Sequence, residues 1–446
     1  MSTVSKDFAL AFSFENLRSI YVNEVSNSRS TGVDNIDAFN FEKDINNQLK
    51  IIERKALAGT YSFTRYKQKL ISKGAGSAPR EICIPTIRDK IALKAINHFL
   101  QKRLSKRIQQ PIPQDITKEI KKEIKENYYD WVIKLDISNF YPSIQHDLLR
   151  KRLRKFIKDE TILDLIDSAI KQNTSKKGYN LSGVPQGLPI SNILAALYLR
   201  NLDSRYANGT KNIYYRRYID DILILCKKED AKEIGDGLIK YCKSIRLKVY
   251  DPIERPDKSK ASSISEEFSY LGYIFNPRSR PENTVTTRPS SKQRLIDSLT
   301  GIFTSYRHSK KKSTALLQWK LNLRITGCVS EKKGKGWIFF FSEIDDKRLL
   351  FELDSIVDSL CRRFSVNIKK KRFVRAWHEI KYNRWRNNYF PNFDRYNIQD
   401  MASVIATHRG IREEEIDMEL ETLVREFWNI INREIKDLET DIQGFS

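Results

Sequence analysis

The sequence predicts an α+β protein, an antiparallel sheet of βαββαβ order with helices on one face, followed by a long helical region. Three observations lead there. Trp131-Val132-Ile133-Lys134-Leu135-Asp136 has the apolar continuity of a buried strand and delivers an aspartate at its end. Residues 212–218 and 222–225 read as two strands flanking Asp220-Asp221, a hairpin with two carboxylates at its tip. Beyond Pro281 the spacing of apolar residues is mostly helical.

The elements follow in chain order. In residues 16–57 apolar residues recur at three-to-four spacing, broken by the polar stretch 27–35, which predicts a small helical entry region. Residues 61–85 form a basic run with glycines (Lys67, Lys69, Lys73, Gly74, Gly76) leading into the alternating stretch 80–85, the pattern of a hairpin with a basic tip. Residues 87–104 read as an amphipathic helix closed off by Pro111 and Pro113. Helices are expected over 145–172, and the turn Gly183-Val184-Pro185-Gln186-Gly187 opens an apolar helix over 190–202. A helix over 230–245, a strand near Leu247 and a strand over 268–275 complete the block, and its order puts Asp136 and the Asp220 hairpin on adjacent strands. Gly327 and the basic glycine turn 331–336 interrupt the helical region. From Asp400 onward, Leu420, Leu423, Val424, Phe427, Ile430 and Ile431 have the spacing of a helix buried on one face, which packs on the preceding region or mediates oligomerisation.

Composition narrows the function. The 446 residues hold 80 Lys plus Arg against 56 Asp plus Glu, a net +24, which favours a polyanionic partner because neutralised phosphates release counterions. The charge is uneven: residues 401–446 carry five basic and eleven acidic side chains, about −6, leaving about +30 on the rest. The tail is therefore a poor phosphate binder. Five scattered cysteines with no Cys-x-x-Cys pair argue against structural zinc and for reduced thiols of a cytosolic protein. No stretch reaches the ~20 apolar residues of a membrane helix, and residues 1–16 lack a secretory pattern, so no membrane partner is expected.

Carboxylates converging on one spot of a basic protein repel one another unless cations neutralise them, so Asp136, Asp220 and Asp221 predict a divalent-metal site, with oxygen ligands favouring Mg²⁺ over zinc. Taken singly, Asp220-Asp221 reads better as a plain turn pair and Asp136 as a strand-end cap.

The combination is more specific. Asp136-Ile137-Ser138-Asn139-Phe140-Tyr141, Gly183-Val184-Pro185-Gln186-Gly187-Leu188-Pro189, Tyr218-Ile219-Asp220-Asp221 and Phe268-Ser269-Tyr270-Leu271-Gly272-Tyr273 resemble, in order, four motifs of reverse transcriptases, a likeness covering roughly residues 17–275. The resemblance implies a right-hand polymerase: N-terminal helical region and fingers over 1–115, a βαββαβ palm over 116–280 with a fingers insertion at about 145–182, a helical thumb over 281–375 and a C-terminal helical extension over 376–446. It implies two Mg²⁺ ions held by Asp136, Asp220 and the carbonyl of Ile137, with Asp221 in support, catalysing nucleotidyl transfer from dNTPs. Tyr141 matches the steric gate beneath the sugar of the incoming nucleotide. Gln186 is expected to contact that nucleotide, with Gly183 and Gly187 admitting template and nucleotide close to the backbone. Lys73 and Arg80 match the fingertip residues on the triphosphate, and Lys258, with Lys260 as competitor, the lysine near the pyrophosphate. Leu271, Gly272 and Tyr273 match the primer grip. Lys310, Lys311, Lys369, Lys370 and Arg372, interleaved with aromatic residues, are candidates for nucleic-acid contact, with solvated helix faces as the alternative.

Gly59-Thr60-Tyr61 and Ile84-Pro85-Thr86-Ile87-Arg88-Asp89-Lys90 look like the group II intron and related bacterial lineage. The Asn-Ala-x-x-His element of retron enzymes is missing, and no endonuclease zinc cluster, protease or integrase signature is visible. A basic polymerase with an acidic helical tail is similar to the defence-associated reverse transcriptases of bacteria and, among them, to the type 3 branch. That likeness implies antiphage defence, a noncoding RNA as template or scaffold, a DNA product, and assembly with a second polymerase subunit or into a homo-oligomer. A group II intron or retron enzyme, or an RNA-binding maturase-like protein with secondary polymerase activity, stays open as the alternative. An RNA-synthesising palm is the third reading, and Tyr141 speaks against it.

Overall fold

The computed structural model describes residues 3–442 apart from 27, 29, 73–78, 106–107, 109–110, 175–177, 208–211, 253, 257, 277–284, 385 and 387. The chain divides into two units, Met1–Gln110 with Trp131–Ala261, and Pro111–Asp130 with Ser262–Ser446.

The first unit holds an antiparallel hairpin, β1 (Lys67–Ile71) and β2 (Arg80–Ile84), and the expected sheet. Strands β3 (Trp131–Ser138), β4 (Tyr214–Tyr218), β5 (Asp221–Cys226) and β6 (Lys248–Val249) lie in the order β4-β5-β3-β6, and β7 (Lys260–Ser263), whose first two residues close this unit, also pairs with β3. The β3–β5, β4–β5 and β3–β6 pairings are antiparallel, as a βαββαβ order requires.

Side chains alternate along a strand, so one face of the sheet can be apolar and the other chemical. Ile133, Leu135 and Ile137 of β3 and Ile222, Ile224 and Cys226 of β5 join one core with Leu194 and Tyr198 of the helix Ser191–Ala207 and Leu238 of the helix Lys228–Ser244. Asp136 and Asp221 fall on the alternate positions and so belong to the opposite face, where Val132, Leu223 and Leu225 are buried as well. The helix Ile87–Leu104 starts where Thr86 accepts the Asp89 N–H at 3.2 Å. Asp89 in turn accepts the Tyr61 hydroxyl at 2.8 Å and the Thr64 N–H at 3.0 Å, tying the segment before β1 to that helix.

The second unit is largely helical, with two hairpins of its own. The stretch whose pattern reads as one strand over 268–275 is the hairpin that its likeness to the primer-grip motif implies, β8 (Phe268–Tyr270) and β9 (Tyr273–Phe275), extended by β10 (Val285–Thr287). The break falls at Leu271 and Gly272, whose φ of 50° and 84° a strand cannot accommodate. The basic glycine turn is likewise a hairpin, β11 (Cys328–Ser330) and β12 (Lys333–Lys335). Its loop residues Glu331 and Lys332 both have positive φ, a conformation that favours Asn-Gly, and the Asp394 carboxylate offsets the strain by accepting both of their N–H groups at 2.7 Å.

The acidic tail packs within this unit. The helices Ile398–Arg409 and Leu420–Thr440 share a core with Leu323, Cys328 and Phe393. Leu423, Phe427, Ile430 and Ile431 are buried as their spacing predicts, whereas Leu420 at the first turn is 56% exposed. Tail carboxylates pair with cations of the helix Thr314–Thr326: Lys320 with Glu434 at 3.1 Å, and buried Arg324 with Asp437 and, at 2.6 Å, with Asp441. The cysteines are buried free thiols, and no described helix is long and apolar enough to cross a membrane.

Candidate active site

The site is assembled on the face of the first unit's sheet opposite the helices Ser191–Ala207 and Lys228–Ser244. Asp136 and Asp221 stand opposite each other in the β3–β5 register. Tyr218 faces Asp221 across β4–β5, which leaves Ile219-Asp220 as a two-residue turn. Ile219 has φ 57°, a region that β-branched residues rarely enter. The turn carries Asp220 back toward its neighbours: burial, then the charges of Asp221 and Asp136, push its carboxyl up to about 7, while Arg80 pulls it down.

Backbone contacts fix the surroundings. The Asp136 N–H donates to Ser259 Oγ at 3.2 Å and its carbonyl accepts the Tyr250 N–H at 3.0 Å. Lys258 Nζ lies 3.3 Å from Asp136 Oδ2. The predicted nucleotide-binding turn is pinned twice: the Val184 N–H donates to the Tyr141 carbonyl at 2.9 Å, and the Cys83 N–H of β2 donates to the Gln186 carbonyl at 2.7 Å. Tyr141 donates its hydroxyl to Asn192 Oδ1 at 2.7 Å; burial and then the Asp220 charge push its phenol up, and Arg80 opposes them. Arg80, Asp136, Tyr141, Gln186, Asp220, Asp221 and Lys258, spread over nearly two hundred positions, thus belong to one neighbourhood. Ile137 follows Asp136 in β3 opposite Val249, with its side chain buried.

Gly183 and Gly187 are also constrained by the chain around them. Both have positive φ, 88° and 96°, but the space beside each is filled by the chain itself rather than left for template or nucleotide. A Cβ on Gly183 would stand 2.9 Å from the Pro142 carbonyl oxygen, and one on Gly187 would stand 2.7 Å from Ile82 Cγ2 and 3.0 Å from the Cys83 carbonyl oxygen. Their substitution therefore strains the fold directly.

Lys73 lies outside the described residues. Leu271, Gly272 and Tyr273 belong to the second unit; Leu271 and Tyr273 are buried, and the Tyr273 hydroxyl donates to the Phe340 carbonyl. Also there, Lys310, Lys311 and Lys369 are exposed, whereas Lys370 and Arg372 pair with Asp358 at 3.0 and 3.2 Å. Four residues near the site carried no motif signal: Asn192, Asp203, Arg217 and Ser259. For Arg217 a cue existed, the doubled arginine of Tyr214-Tyr215-Arg216-Arg217 inside a strand next to a carboxylate hairpin.

The donor chemistry suits a divalent cation, since three carboxylates offer hard oxygen ligands and Asp220 bears the repulsion that a cation would relieve. Among the described residues no three His, Cys, Asp or Glu side chains stand in a ready-made ligating cluster. The Lys258 ammonium supplies positive charge to Asp136.

Residues 71–275, which contain all of this chemistry, match the family described as reverse transcriptase (RNA-dependent DNA polymerase). The chain carries a reverse transcriptase domain. It is an enzyme of the nucleotidyltransferase class, and reverse transcriptase domains generally use divalent metal ions. The fold is the α+β one expected of a right-hand polymerase. Protein YkfC of Escherichia coli is 24% identical over 336 residues, covering 63% of this chain and 86% of YkfC. A putative COX1/OXI3 intron 2 protein of Saccharomyces cerevisiae is 32% identical over 89 residues, and the match covers 19% of this chain and 10% of the yeast protein. An apo telomerase structure from Candida tropicalis aligns over 82% of this chain and 69% of its own, with TM-score 0.43 and 13% identity.

Proposed function

We propose that this reverse transcriptase domain makes DNA on an RNA template by two-metal nucleotidyl transfer, with Asp136 and Asp220 as principal ligands of two Mg²⁺ ions. The observation that carries the reading is the register that sets Asp136 against Asp221 with Asp220 on the turn beside them. When bound, the ions lower the pKa of the primer 3′-hydroxyl and stabilise the leaving pyrophosphate. The chain's own residues do the rest. Asp221 supports the ligand pair, and the Ile137 carbonyl is a further donor. Arg80 and Lys73 hold the triphosphate; Gln186 and Tyr141 bound the base and sugar, and the Tyr141 ring excludes a 2′-hydroxyl. The 3′-oxygen bonds to the α-phosphorus as the bond from that phosphorus to pyrophosphate breaks, and Lys258 donates a proton to the leaving group. Leu271, Gly272 and Tyr273 guide the primer, and Lys310, Lys311, Lys369, Lys370 and Arg372 take nucleic-acid phosphates.

In the cell we place this activity in the bacterial cytoplasm, in antiphage defence with a cognate noncoding RNA. The strongly basic body and the acidic tail folded into the second unit support that reading. The test pairs two assays: the purified protein with an RNA template, primer, dNTPs and Mg²⁺, and phage plating on cells that express it. Both extension and protection should vanish in Asp220→Ala/Asp221→Ala. Synthesis that survives the substitution rules out the site, and protection that survives it rules out the polymerase as the source of defence. The likeness to yeast proteins named for the COX1/OXI3 and cob introns supports a second reading, an RNA-binding maturase-like role, in which the same variant keeps its cellular function.

A further inference from the structure

Asp220 is set on its turn by a side chain that does not itself reach the carboxylates. Arg217, near the end of β4, is 7% exposed, and three of its contacts define its position. Its Nε donates to Asp203 Oδ1 at 2.8 Å and its Nη2 to Asp203 Oδ2 at 2.6 Å, a bidentate fork. Its Nη1 donates to the carbonyl of Ile219 at 2.6 Å. The Tyr215 hydroxyl donates to the same Asp203 Oδ1 at 2.7 Å, so the acceptor is held as well.

Each end of this bridge matters. Asp203 sits on the helix Ser191–Ala207, which follows directly from the Gln186 turn and carries Asn192, the partner of Tyr141. Ile219 holds a positive φ that β-branched residues rarely adopt, and such strain persists only where the surroundings over-determine it. Its carbonyl belongs to the peptide unit that leads into Asp220. Fixing that oxygen fixes the orientation of the peptide plane, and hence the direction in which the Asp220 carboxylate leaves the turn.

We infer that Arg217, braced by Asp203, is a positioning residue for Asp220: it couples the helix behind the nucleotide-binding turn to the strained Ile219 carbonyl and so aims the carboxylate at the metal site. The inference rests on the polymerase reading above for its kinetic consequence, but not for its geometry. A lysine in its place keeps the charge and loses the planar fork, because an ammonium cannot hold both Asp203 oxygens in one plane while reaching the carbonyl.

The experiment uses the full chain with Arg217→Lys, Arg217→Met and Asp203→Asn. Three quantities are measured: thermal unfolding, Mn²⁺ affinity by electron paramagnetic resonance of the free ion, and primer extension. With folding retained, Arg217→Lys should weaken Mn²⁺ binding and lower kcat by roughly 10–100-fold, as loss of an outer-shell partner does. KM for the nucleotide should stay within about twofold of the original, since the lost contact orients a metal ligand and not a substrate group. Asp203→Asn should show the same split in weaker form. Unchanged Mn²⁺ affinity and kcat in well-folded Arg217→Lys overturn the inference. So does a loss of activity that only tracks a loss of the folding transition in all three variants, which would make Arg217 a purely structural residue. If the unsubstituted protein extends no primer, the polymerase reading fails, and the Mn²⁺ arm still decides whether Arg217 sets Asp220.

Discussion

Asp136 and Asp221 face each other directly across β3 and β5, so two carboxylates of a basic protein share one rung of its central sheet. With Asp220 on the adjoining turn, this rung is a local concentration of negative charge. Replacing Asp220 by Asn should relieve it. In metal-free buffer the variant should melt about 2–4 °C higher than the parent, as expected for ~1 kcal/mol of relieved repulsion, while primer extension is lost. Added Mg²⁺ should raise the melting temperature of the parent by mass action and leave the variant unmoved. A less stable variant in metal-free buffer contradicts the repulsion argument.

Tyr141 is held by its hydroxyl bond to Asn192 and by the backbone bond from Val184. Trimming the ring in Tyr141→Ala should open room for a 2′-hydroxyl and reduce the preference for dNTP over NTP by roughly 10–200-fold, the range set by small steric differences in a pocket. Single-nucleotide incorporation at matched primer termini measures the ratio. An unchanged ratio removes Tyr141 from the gate.

Gly187→Ala should cost about 1–3 kcal/mol in denaturant unfolding, because its φ of 96° and the nearness of Ile82 and Cys83 penalise a Cβ together. The hydrogen bond from Cys83 to Gln186 should weaken with it, visible as faster amide exchange at Cys83. Full stability with lost activity would restore the glycine to a substrate-contact role.

Arg324 and Asp441 form a buried pair, at 4% and 1% side-chain exposure. Arg324→Met leaves Asp441 without its cation and should destabilise the second unit by about 3–5 kcal/mol; adding Asp441→Leu should recover most of that loss. Equilibrium urea unfolding of the two variants measures both steps. Equal stability of the single and double variants would mean that the loss is a packing effect.

Glu434 provides a pH signature for the same packing. Burial pushes its carboxyl up, but His408 and Lys320 outweigh that and hold it down at about 2. The depressed value means that its contribution to stability is complete above the ordinary carboxylate range, near ~4.5, and fades as pH falls toward about 2. Glu434→Gln should therefore lose stability at neutral pH and show a shallower decline between those limits than the parent. Parallel stability-versus-pH curves would assign no role to the pairing.

The three aspartates of the candidate site are legible in the sequence because their pattern is local: a strand that ends in Asp136 and a tight turn that carries Asp220-Asp221 are patterns of adjacent residues. The sheet order is legible for the same reason, since alternation and turn residues report the strands one by one. The tail is legible as an amphipathic helix, although Leu420 satisfies the spacing and is still exposed, because periodicity does not say where a helix begins to touch its neighbour. Lys370 and Arg372 look like free phosphate binders beside their lysine neighbours, and their pairing with Asp358 depends on a carboxylate more than ten residues away.

By itself, the sequence determined the chemical class of this protein: a basic, α+β polymerase with its carboxylates on adjacent strands, specified by residue types at short spacing. Only the tertiary structure decided how those carboxylates are held. The Asp203–Arg217–Ile219 bridge, the packing of Gly187 against β2 and the closure of the acidic tail on Arg324 are contacts between residues distant in the chain or of unremarkable type. Such contacts leave no periodic signature, because their energy comes from three-dimensional proximity rather than from local conformation.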